Sequence, residues 1–200
     1  SQYHYNALGQ ELTGYYWGCG RMLGRQNNFP VPDEHRSDML VAVGWNGMVS
    51  HQMVRAPKVL RGFARSADKL LVSIDPRASE TARIADVHLA LRPGTDALLA
   101  KALIAMLLDE GWEHRAYLAA HATGLKRLRA SFAGFDIRGA IAECGLDYDQ
   151  VRTLCEELSR RQWSCHTDLG VLMVVPAGGA RFAVVVVVIV MVMVMIVRVG

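Results

Sequence analysis

The chain has 200 residues, of which 52% are hydrophobic and 20% are charged, a composition that supports a folded core and excludes a disordered protein. Its net charge is +3, from 22 Lys and Arg against 19 Asp and Glu, which is far below the charge density of a nucleic-acid-binding protein. We therefore expect one ordinary domain with no nucleic-acid partner. The first residues show neither a basic nor an apolar signal-peptide region, so we expect a cytoplasmic protein.

Three short apolar runs are predicted as buried strands because turn-forming residues end each of them. They are Met39–Val43, Leu70–Ile74 and 87–91, and a fourth strand is predicted over 171–175. Helical spacing of apolar residues predicts helices over 53–64, 79–85, 96–110, 113–120, 125–132, 137–144 and 148–161. Thr95 or Asp96 is expected to cap the helix that ends at Gly111. Strands that alternate with helices predict an α/β fold, with a Rossmann-like, mostly parallel sheet and flanking helices.

Polar residues follow each of the first three strands, where parallel sheets bind their ligands. Gly44-Trp45-Asn46-Gly47 permits a close ligand approach, although by itself it is better explained as a tight turn. Asp75 and Arg77 suit a ribose and a phosphate, and a surface turn with a local ion pair explains them equally well. Asp96 can accept both N–H donors of a guanine edge, whereas helix capping is the simpler explanation. No GxGxxG motif supports an NAD site.

Metal ligation by protein side chains is not supported by the sequence. The cysteines form no CxxC pair, which predicts reduced and mostly buried thiols, and the histidines form no HxH or HxxxH pair. These residues are Cys19, Cys144, Cys155 and Cys165, and His51, His88, His121 and His166.

The ordered strand-end motifs resemble the molybdopterin oxidoreductases, the family that includes formate dehydrogenases, nitrate reductases and dimethyl sulfoxide reductase. The matching segments are Asp38-Met-Leu-Val-Ala-Val-Gly-Trp-Asn-Gly-Met-Val-Ser-His51, Leu71-Val-Ser-Ile-Asp-Pro-Arg77, Glu80-Thr-Ala-Arg-Ile-Ala-Asp86 and His88-Leu-Ala-Leu-Arg-Pro-Gly-Thr-Asp-Ala-Leu98. The resemblance covers most of the chain but a minority of a family enzyme, and it implies a fragment of a larger multi-domain catalytic subunit. It implies an N-terminal segment at 1–37, a Rossmann-like molybdopterin guanine dinucleotide-binding domain at 38–173 and an atypical tail at 174–200. The absence of Pro after Asn46 favours a branch that is similar to formate dehydrogenase or is otherwise unassigned.

The resemblance also implies which residues meet the cofactor, a molybdenum-bis(molybdopterin guanine dinucleotide). Asp96, with Gly94 in the same loop, would recognise guanine, and Asp75 and Arg77 would meet the nucleotide. Those expected near the pterin or the phosphates are Gly44, Asn46, Ser50 and His51, and those in a later segment that returns to the cofactor are His166 and Gly170.

The resemblance implies a two-electron oxidoreductase with a small-molecule redox substrate and an electron-transfer subunit as partner. The residue that binds molybdenum is expected upstream of this chain, as is any iron–sulfur cluster, so no catalytic residue is assigned. We expect the chain alone to be inactive. The alternative function is a non-catalytic nucleotide-binding or interaction module, or an inactive remnant.

The tail differs in composition from the rest of the chain. Every residue from 182 to 197 is apolar. This run has 16 residues and as a helix would be about 24 Å long, which is shorter than the bilayer span of about 20 residues. A short membrane anchor and a buried or aggregating strand remain open. We favour a change of reading frame near Val174, and membrane insertion is not expected.

Overall fold

The structure is a computed structural model, and it describes residues 16, 19–21, 24–25, 31–50 and 52–168. The predicted fourth strand, the tail and the predicted site residues His51 and Gly170 lie outside the described residues. Most of the predicted N-terminal segment lies outside them as well.

Helices and strands alternate through the described part of the chain. Between residues 31 and 168 the elements are β1 (Met39–Val43), α1 (Ala56–Arg65), β2 (Leu70–Ile74), a 3-10 helix (Ala82–Ile84), β3 (Val87–Leu89), α2 (Asp96–Asp109), α3 (Arg115–His121), α4 (Leu125–Phe132), α5 (Ile137–Glu143), α6 (Tyr148–Arg160) and β4 (Trp163–Thr167).

The four strands form one parallel sheet in the order β3-β2-β1-β4. β1 consists of apolar residues, and β2 does so apart from the buried Ser73, as is typical of parallel strands whose two faces are both covered. On one face, Met39, Val41 and Val43 pack with α2, α5 and α6. On the other face, Leu40 and Ala42 pack with α1. The predicted α/β fold with a parallel sheet and flanking helices is confirmed.

The amphipathic pattern of α1 shows how a helix joins this sheet. Ala56, Leu60 and Phe63 recur every three or four residues and are buried, so one stripe of the helix faces the sheet. Pro57 occupies the first turn, where its missing N–H costs no helical hydrogen bond. The helix ends at Arg65, and the backbone of the following residue, Ser66, is extended.

Two expectations about individual elements need correction. β4 was not predicted, because Trp163-Ser-Cys-His-Thr167 forms no continuous apolar run of the kind seen in β1. Its alternation of apolar and polar residues is a strand pattern, but it extends over only a few residues. Thr95 occupies the N-cap position of α2, but the predicted side-chain cap is wrong. The Thr95 hydroxyl instead donates a hydrogen bond of 2.6 Å to the carbonyl oxygen of Arg92.

Over the described residues, none of the helices combines the length and the apolar character that a membrane crossing requires.

Candidate functional site

The carboxyl ends of the four strands lie in one row. Pairing places Val43 of β1 opposite both Ile74 of β2 and Thr167 of β4. Ile74 in turn lies opposite Leu89 of β3. From β1 the chain runs outward to β2 and β3, and it then returns to place β4 on the other side of β1. Open parallel sheets bind ligands where the strand order reverses, so the crevice between the ends of β1 and β4 is the candidate site.

A tight turn leaves β1 at this crevice. Gly44 has a φ of 58°, in the left-handed region that favours glycine. Its N–H donates a hydrogen bond of 2.8 Å to the carbonyl oxygen of Ile74, which ties the turn to β2. Trp45 is completely buried, and a Cβ added to Gly47 would lie 2.6 Å from Cε2 of the Trp45 ring. The second glycine of the turn is therefore required by the packing of Trp45.

The side chain of Asn46 joins this turn to the loop that follows β2. Its Oδ1 accepts hydrogen bonds from the N–H of Thr81 at 3.2 Å and from the Thr81 hydroxyl at 3.0 Å. Its Nδ2 donates to Oε2 of Glu80 at 2.6 Å. The polar atoms of the Asn46 amide are thus already engaged by protein groups.

The loop after β2 places a carboxylate at the strand end. Asp75 is 8% exposed, and its Oδ1 accepts a hydrogen bond of 2.8 Å from the N–H of Arg77. Nε2 of His88, on β3, lies 2.8 Å from the Asp75 carbonyl oxygen and holds the same residue from the neighbouring strand. Arg77 is exposed. This arrangement offers a fixed carboxylate beside a solvent-facing guanidinium.

The loop between β3 and α2 is fastened to the end of α5. Arg92 donates two hydrogen bonds of 2.8 Å, one from its N–H to the Cys144 carbonyl oxygen and one from its guanidinium to the Glu143 carbonyl oxygen. The Cys144 thiol lies 3.6 Å from the Thr95 carbonyl oxygen. These contacts fix the loop that presents Gly94 and Asp96.

Asp96 is the first residue of α2, and burial raises the pKa of its carboxyl above the ordinary value. Its own backbone N–H opposes the increase by hydrogen bonding, and the negative charge of Asp75 adds to it. The two predicted nucleotide ligands are therefore close enough for their charges to interact. Binding of a group with N–H donors would relieve this unfavourable electrostatics.

A cavity of about 40 Å³ lies beneath Asp96, between the sheet and helices α2 and α6. Apolar side chains dominate its lining, among them Val43, Leu99 and Leu158. It is far smaller than the ~300 Å³ of a typical ligand pocket, so we do not assign it as the binding site.

A larger groove, of about 480 Å³, lies beside β3 and α6. Its lining includes Leu70 and Asp86, which lie at the amino ends of β2 and β3. We place the candidate site at the opposite edge, because the chemistry of parallel sheets is found at the carboxyl ends of strands.

β4 brings a buried histidine to the crevice. The rings of His166 and Trp45 are 4.3 Å apart in an edge-to-face arrangement. Burial lowers the pKa of His166, and the nearby Asp168 carboxylate partly opposes this shift. Nε2 of His166 and Nε1 of Trp45 are buried, and neither has a hydrogen-bond partner among the residues that the structure describes. Asp168, two residues after His166, accepts a hydrogen bond from the Gln52 side chain.

The structure brings most of the sequence-predicted site residues to one edge of the sheet. Those that follow strand ends at this edge are Gly44, Asn46, Asp75, Arg77, Gly94 and Asp96. Ser50 is exposed at the end of the β1 turn, where its N–H donates to the Asn46 carbonyl oxygen at 2.8 Å. His166 lies within β4 and not beyond its end, with its ring on the α1 face of the sheet.

Sequence reasoning gave no role to Thr81, Glu80 or Trp45. Thr81 is completely buried, and it lies 35 positions from the Asn46 that it contacts. The only signal in the sequence was the position of Glu80 and Thr81 within one of the segments that carry the family resemblance.

Among the described residues, no group of three or more His, Cys, Asp or Glu side chains is arranged to hold a metal ion. The four cysteines are free thiols, and burial raises the pKa of the Cys155 thiol to about 12.

No protein-family model matches the chain. Its sequence is similar to that of a nitrate reductase from Shewanella frigidimarina, with 36% identity over 92 residues, which are 46% of the chain and 10% of that protein. It is also similar to formate dehydrogenase H from Escherichia coli, with 28% identity over 144 residues, which are 72% of the chain and 19% of that protein.

The fold is similar to part of acetylene hydratase from Pelobacter acetylenicus, with a TM-score of 0.74. This match has 17% sequence identity and covers 94% of the chain but 24% of acetylene hydratase. The chain thus spans about a tenth to a quarter of the length of these proteins. The matches confirm the resemblance to the molybdopterin oxidoreductases.

Proposed function

We propose that this chain, a relative of the molybdopterin oxidoreductases, binds the guanine dinucleotide arm of a molybdopterin cofactor. The cofactor would be a molybdenum- or tungsten-bound molybdopterin guanine dinucleotide, and the enzyme would be a larger oxidoreductase of which this chain forms a part. When bound, the cofactor supplies two-electron redox chemistry at its metal. The chain's own residues would bind and orient the cofactor.

One observation carries the proposal. Two carboxylates, Asp75 and Asp96, follow different strands but stand at the same edge of the sheet. Burial raises the pKa of Asp96, and the negative charge of Asp75 adds to that increase. Arg77 lies exposed beside the first of them. A guanosine diphosphate presents hydroxyl and N–H donors at its ribose and base and negative charge at its phosphates. Two carboxylates and one guanidinium match that pattern of charge.

The first turn of α1 has no free backbone N–H groups at Ala56, Pro57 and Lys58 to bind the phosphates, so we expect side chains to bind them instead. In dinucleotide folds of the NAD type, free N–H groups at the first helix bind the pyrophosphate. Here the N–H of Ala56 donates to the Met53 carbonyl oxygen, Pro57 has no N–H, and the N–H of Lys58 donates to the Arg55 carbonyl oxygen. This agrees with the absence of a GxGxxG motif.

The crevice between β1 and β4 is suited to a polar group of the cofactor. Within the described part of the chain, Nε1 of Trp45 and Nε2 of His166 are buried without hydrogen-bond partners, whereas buried polar atoms are normally hydrogen-bonded. Gly44 leaves space for a close approach at the end of β1. The residues present therefore fit the pterin arm of such a cofactor, and our assignment of His166 to it remains a proposal.

The remaining assignments follow from the same placement. We propose that Asp75 and Arg77 meet the ribose and a phosphate, and that Asp96, presented by the Gly94 loop, accepts N–H donors from guanine. Asn46 would act through the shape of the turn, because its side chain is already engaged. Ser50 would contribute at the exposed end of that turn, and His51 and Gly170 remain predicted contacts of the cofactor.

The activity of the whole protein is likewise a proposal. We infer a small-molecule redox substrate and an electron-transfer subunit as partner, and we expect the metal ligand and any iron–sulfur cluster in parts of the enzyme beyond this chain. Because the chain covers so little of its relatives, we expect it to catalyse no turnover alone.

The proposal is tested by calorimetric titration of the full chain with GDP, and with ADP as the competing nucleotide. We expect GDP to bind more tightly than ADP. Asp96→Asn should weaken GDP binding by about 5- to 150-fold, because a bidentate contact to a base contributes ~1–3 kcal/mol of discrimination.

Asp109→Asn is the matched control, because Asp109 ends the same 14-residue helix and lies about 20 Å from Asp96. It should leave GDP binding unchanged. Equal affinity for GDP and ADP, or no binding of either nucleotide, would overturn the proposal and favour an interaction module or an inactive remnant.

A further inference from the structure

We infer that Thr81 is a positioning residue, which fixes the Asn46 side chain and thereby holds the turn after β1 against the loop after β2. The inference deepens the proposed function, because the loop after β2 would meet the nucleotide arm and the turn after β1 would lie beside it, near the phosphates or the pterin. Thr81 itself would touch neither the cofactor nor any reacting atom.

Thr81 makes three hydrogen bonds that converge on the β1 turn. Its hydroxyl donates to Oδ1 of Asn46 at 3.0 Å, and its backbone N–H donates to the same oxygen at 3.2 Å. The Thr81 hydroxyl also accepts from the N–H of Met48 at 3.2 Å. Because Thr81 is completely buried, water cannot replace these bonds without a change of structure.

Glu80 fixes the other end of the same amide. Nδ2 of Asn46 donates to Oε2 of Glu80 at 2.6 Å. The pKa of Glu80 is lowered by a hydrogen bond from its own backbone and then by the bond from Asn46, so the carboxylate is a charged acceptor at neutral pH. The two neighbouring residues therefore determine which way the Asn46 amide points.

The Asn46 backbone organises the rest of the turn. Its carbonyl oxygen accepts from the N–H of Val49 at 2.9 Å and from the N–H of Ser50 at 2.8 Å. A residue whose side chain is fixed to the β2 loop and whose carbonyl closes the β1 turn connects the two loops. Thr81 thereby sets the position of Gly44 and Trp45 relative to Asp75.

The consequence for binding is pre-organisation. A loop that is already held in its bound conformation loses less conformational entropy when the ligand binds. Without the Thr81 hydroxyl, the turn would have to be ordered by the ligand, and the affinity would fall accordingly. The Thr81 hydroxyl should therefore matter for GDP affinity although it makes no contact with GDP.

The experiment compares Thr81→Val with Thr81→Ser in the full chain. Valine has a similar shape but lacks the hydroxyl, whereas serine keeps it. We expect Thr81→Val to weaken GDP binding by about 3- to 10-fold, and Thr81→Ser to restore affinity to about the wild-type value. Thr153→Val is the matched control, because the Thr153 hydroxyl donates a hydrogen bond of 2.8 Å within α6, to the Asp149 carbonyl oxygen.

A second readout is independent of nucleotide binding. In protein labelled with 5-fluorotryptophan, the fluorine resonance of Trp45 reports the packing of the β1 turn, and its assignment comes from Trp45→Phe. Thr81→Val should shift or broaden this resonance, whereas Thr81→Ser and Thr153→Val should not. If Thr81→Val does not fold, Glu80→Ala tests the same connection from the exposed end of the amide and should also shift the Trp45 resonance.

The outcomes separate the two proposals. If the wild-type chain binds no GDP but Thr81→Val shifts the Trp45 resonance, the proposed nucleotide function fails and the positioning role of Thr81 stands. A Trp45 resonance that is unchanged in Thr81→Val, or a Thr81→Ser variant that behaves like Thr81→Val, would overturn the positioning role.

Discussion

Replacement of Gly47 by alanine is the most direct test of how the β1 turn is packed. The new Cβ would lie 2.6 Å from Cε2 and 2.8 Å from Cη2 of the Trp45 ring. Carbon atoms in contact prefer about 3.5–4 Å, so the ring or the backbone must move by about 1 Å. Trp45 is completely buried between the sheet and α1, and it therefore has little space to move.

The expected cost follows from this overlap. Insertion of a methyl group into a well-packed region costs about 1–3 kcal/mol, and we expect Gly47→Ala to lower the free energy of unfolding by that amount. The backbone conformation of Gly47 adds no cost, since its φ lies outside the left-handed region. The destabilisation should therefore come from side-chain packing alone.

Urea unfolding of the full chain measures this effect, with Gly62→Ala as the matched control. Gly62 lies within α1, and an added Cβ there would meet nothing within 4 Å. Gly62→Ala should increase the free energy of unfolding by about 0.5–1 kcal/mol, because alanine favours helices more than glycine does. A Gly47→Ala variant as stable as the wild type would show that Trp45 does not pack against this glycine.

Two further predictions concern pH. Burial raises the pKa of Asp96, so the folded chain keeps a proton that the unfolded chain has lost, and stability falls as the pH rises from about 4 through the raised pKa. Asp96→Asn should therefore raise the melting temperature of the ligand-free chain at pH 7 but not near pH 4, and an equal effect at both values would contradict this. Burial lowers the pKa of His166, so the unfolded chain takes up a proton first, and stability falls as the pH falls below about 6.5. The melting temperature of His166→Gln should fall less than that of the wild type between pH 7 and pH 5, and parallel curves would refute this.

Much of the fold could be predicted from local patterns. β1 and β2 have the predicted bounds, and α4 was also predicted at its observed residues, because each is an apolar run or an amphipathic segment between turn-forming residues. β4 was missed because its segment around Cys165 is not a continuous apolar run, and its short alternation of apolar and polar residues is a weak signal. Its pairing with β1 identifies it as a strand.

The candidate site divides in a similar way. Asp75 and Asp96 could be proposed as ligands from the sequence because each follows a predicted strand, and parallel strands end at a common edge. The hydrogen bonds of the Asn46 side chain could not be predicted, because Thr81, which donates to it, is 35 positions away in the sequence. The contact between the rings of His166 and Trp45 could not be predicted either, because the two residues are far apart in the sequence and only the pairing of β4 with β1 brings them together.

The sequence by itself determined which segments form the core strands and which residue types follow them, since hydrophobic burial and turn chemistry act over a few residues. It also determined the resemblance to the molybdopterin oxidoreductases. Only the tertiary structure decided that β4 lies beside β1, that the strand order reverses there, and that Asn46 is held by Glu80 and Thr81. These features depend on contacts between residues distant in the chain, whose free energy is gained only when the sheet has assembled.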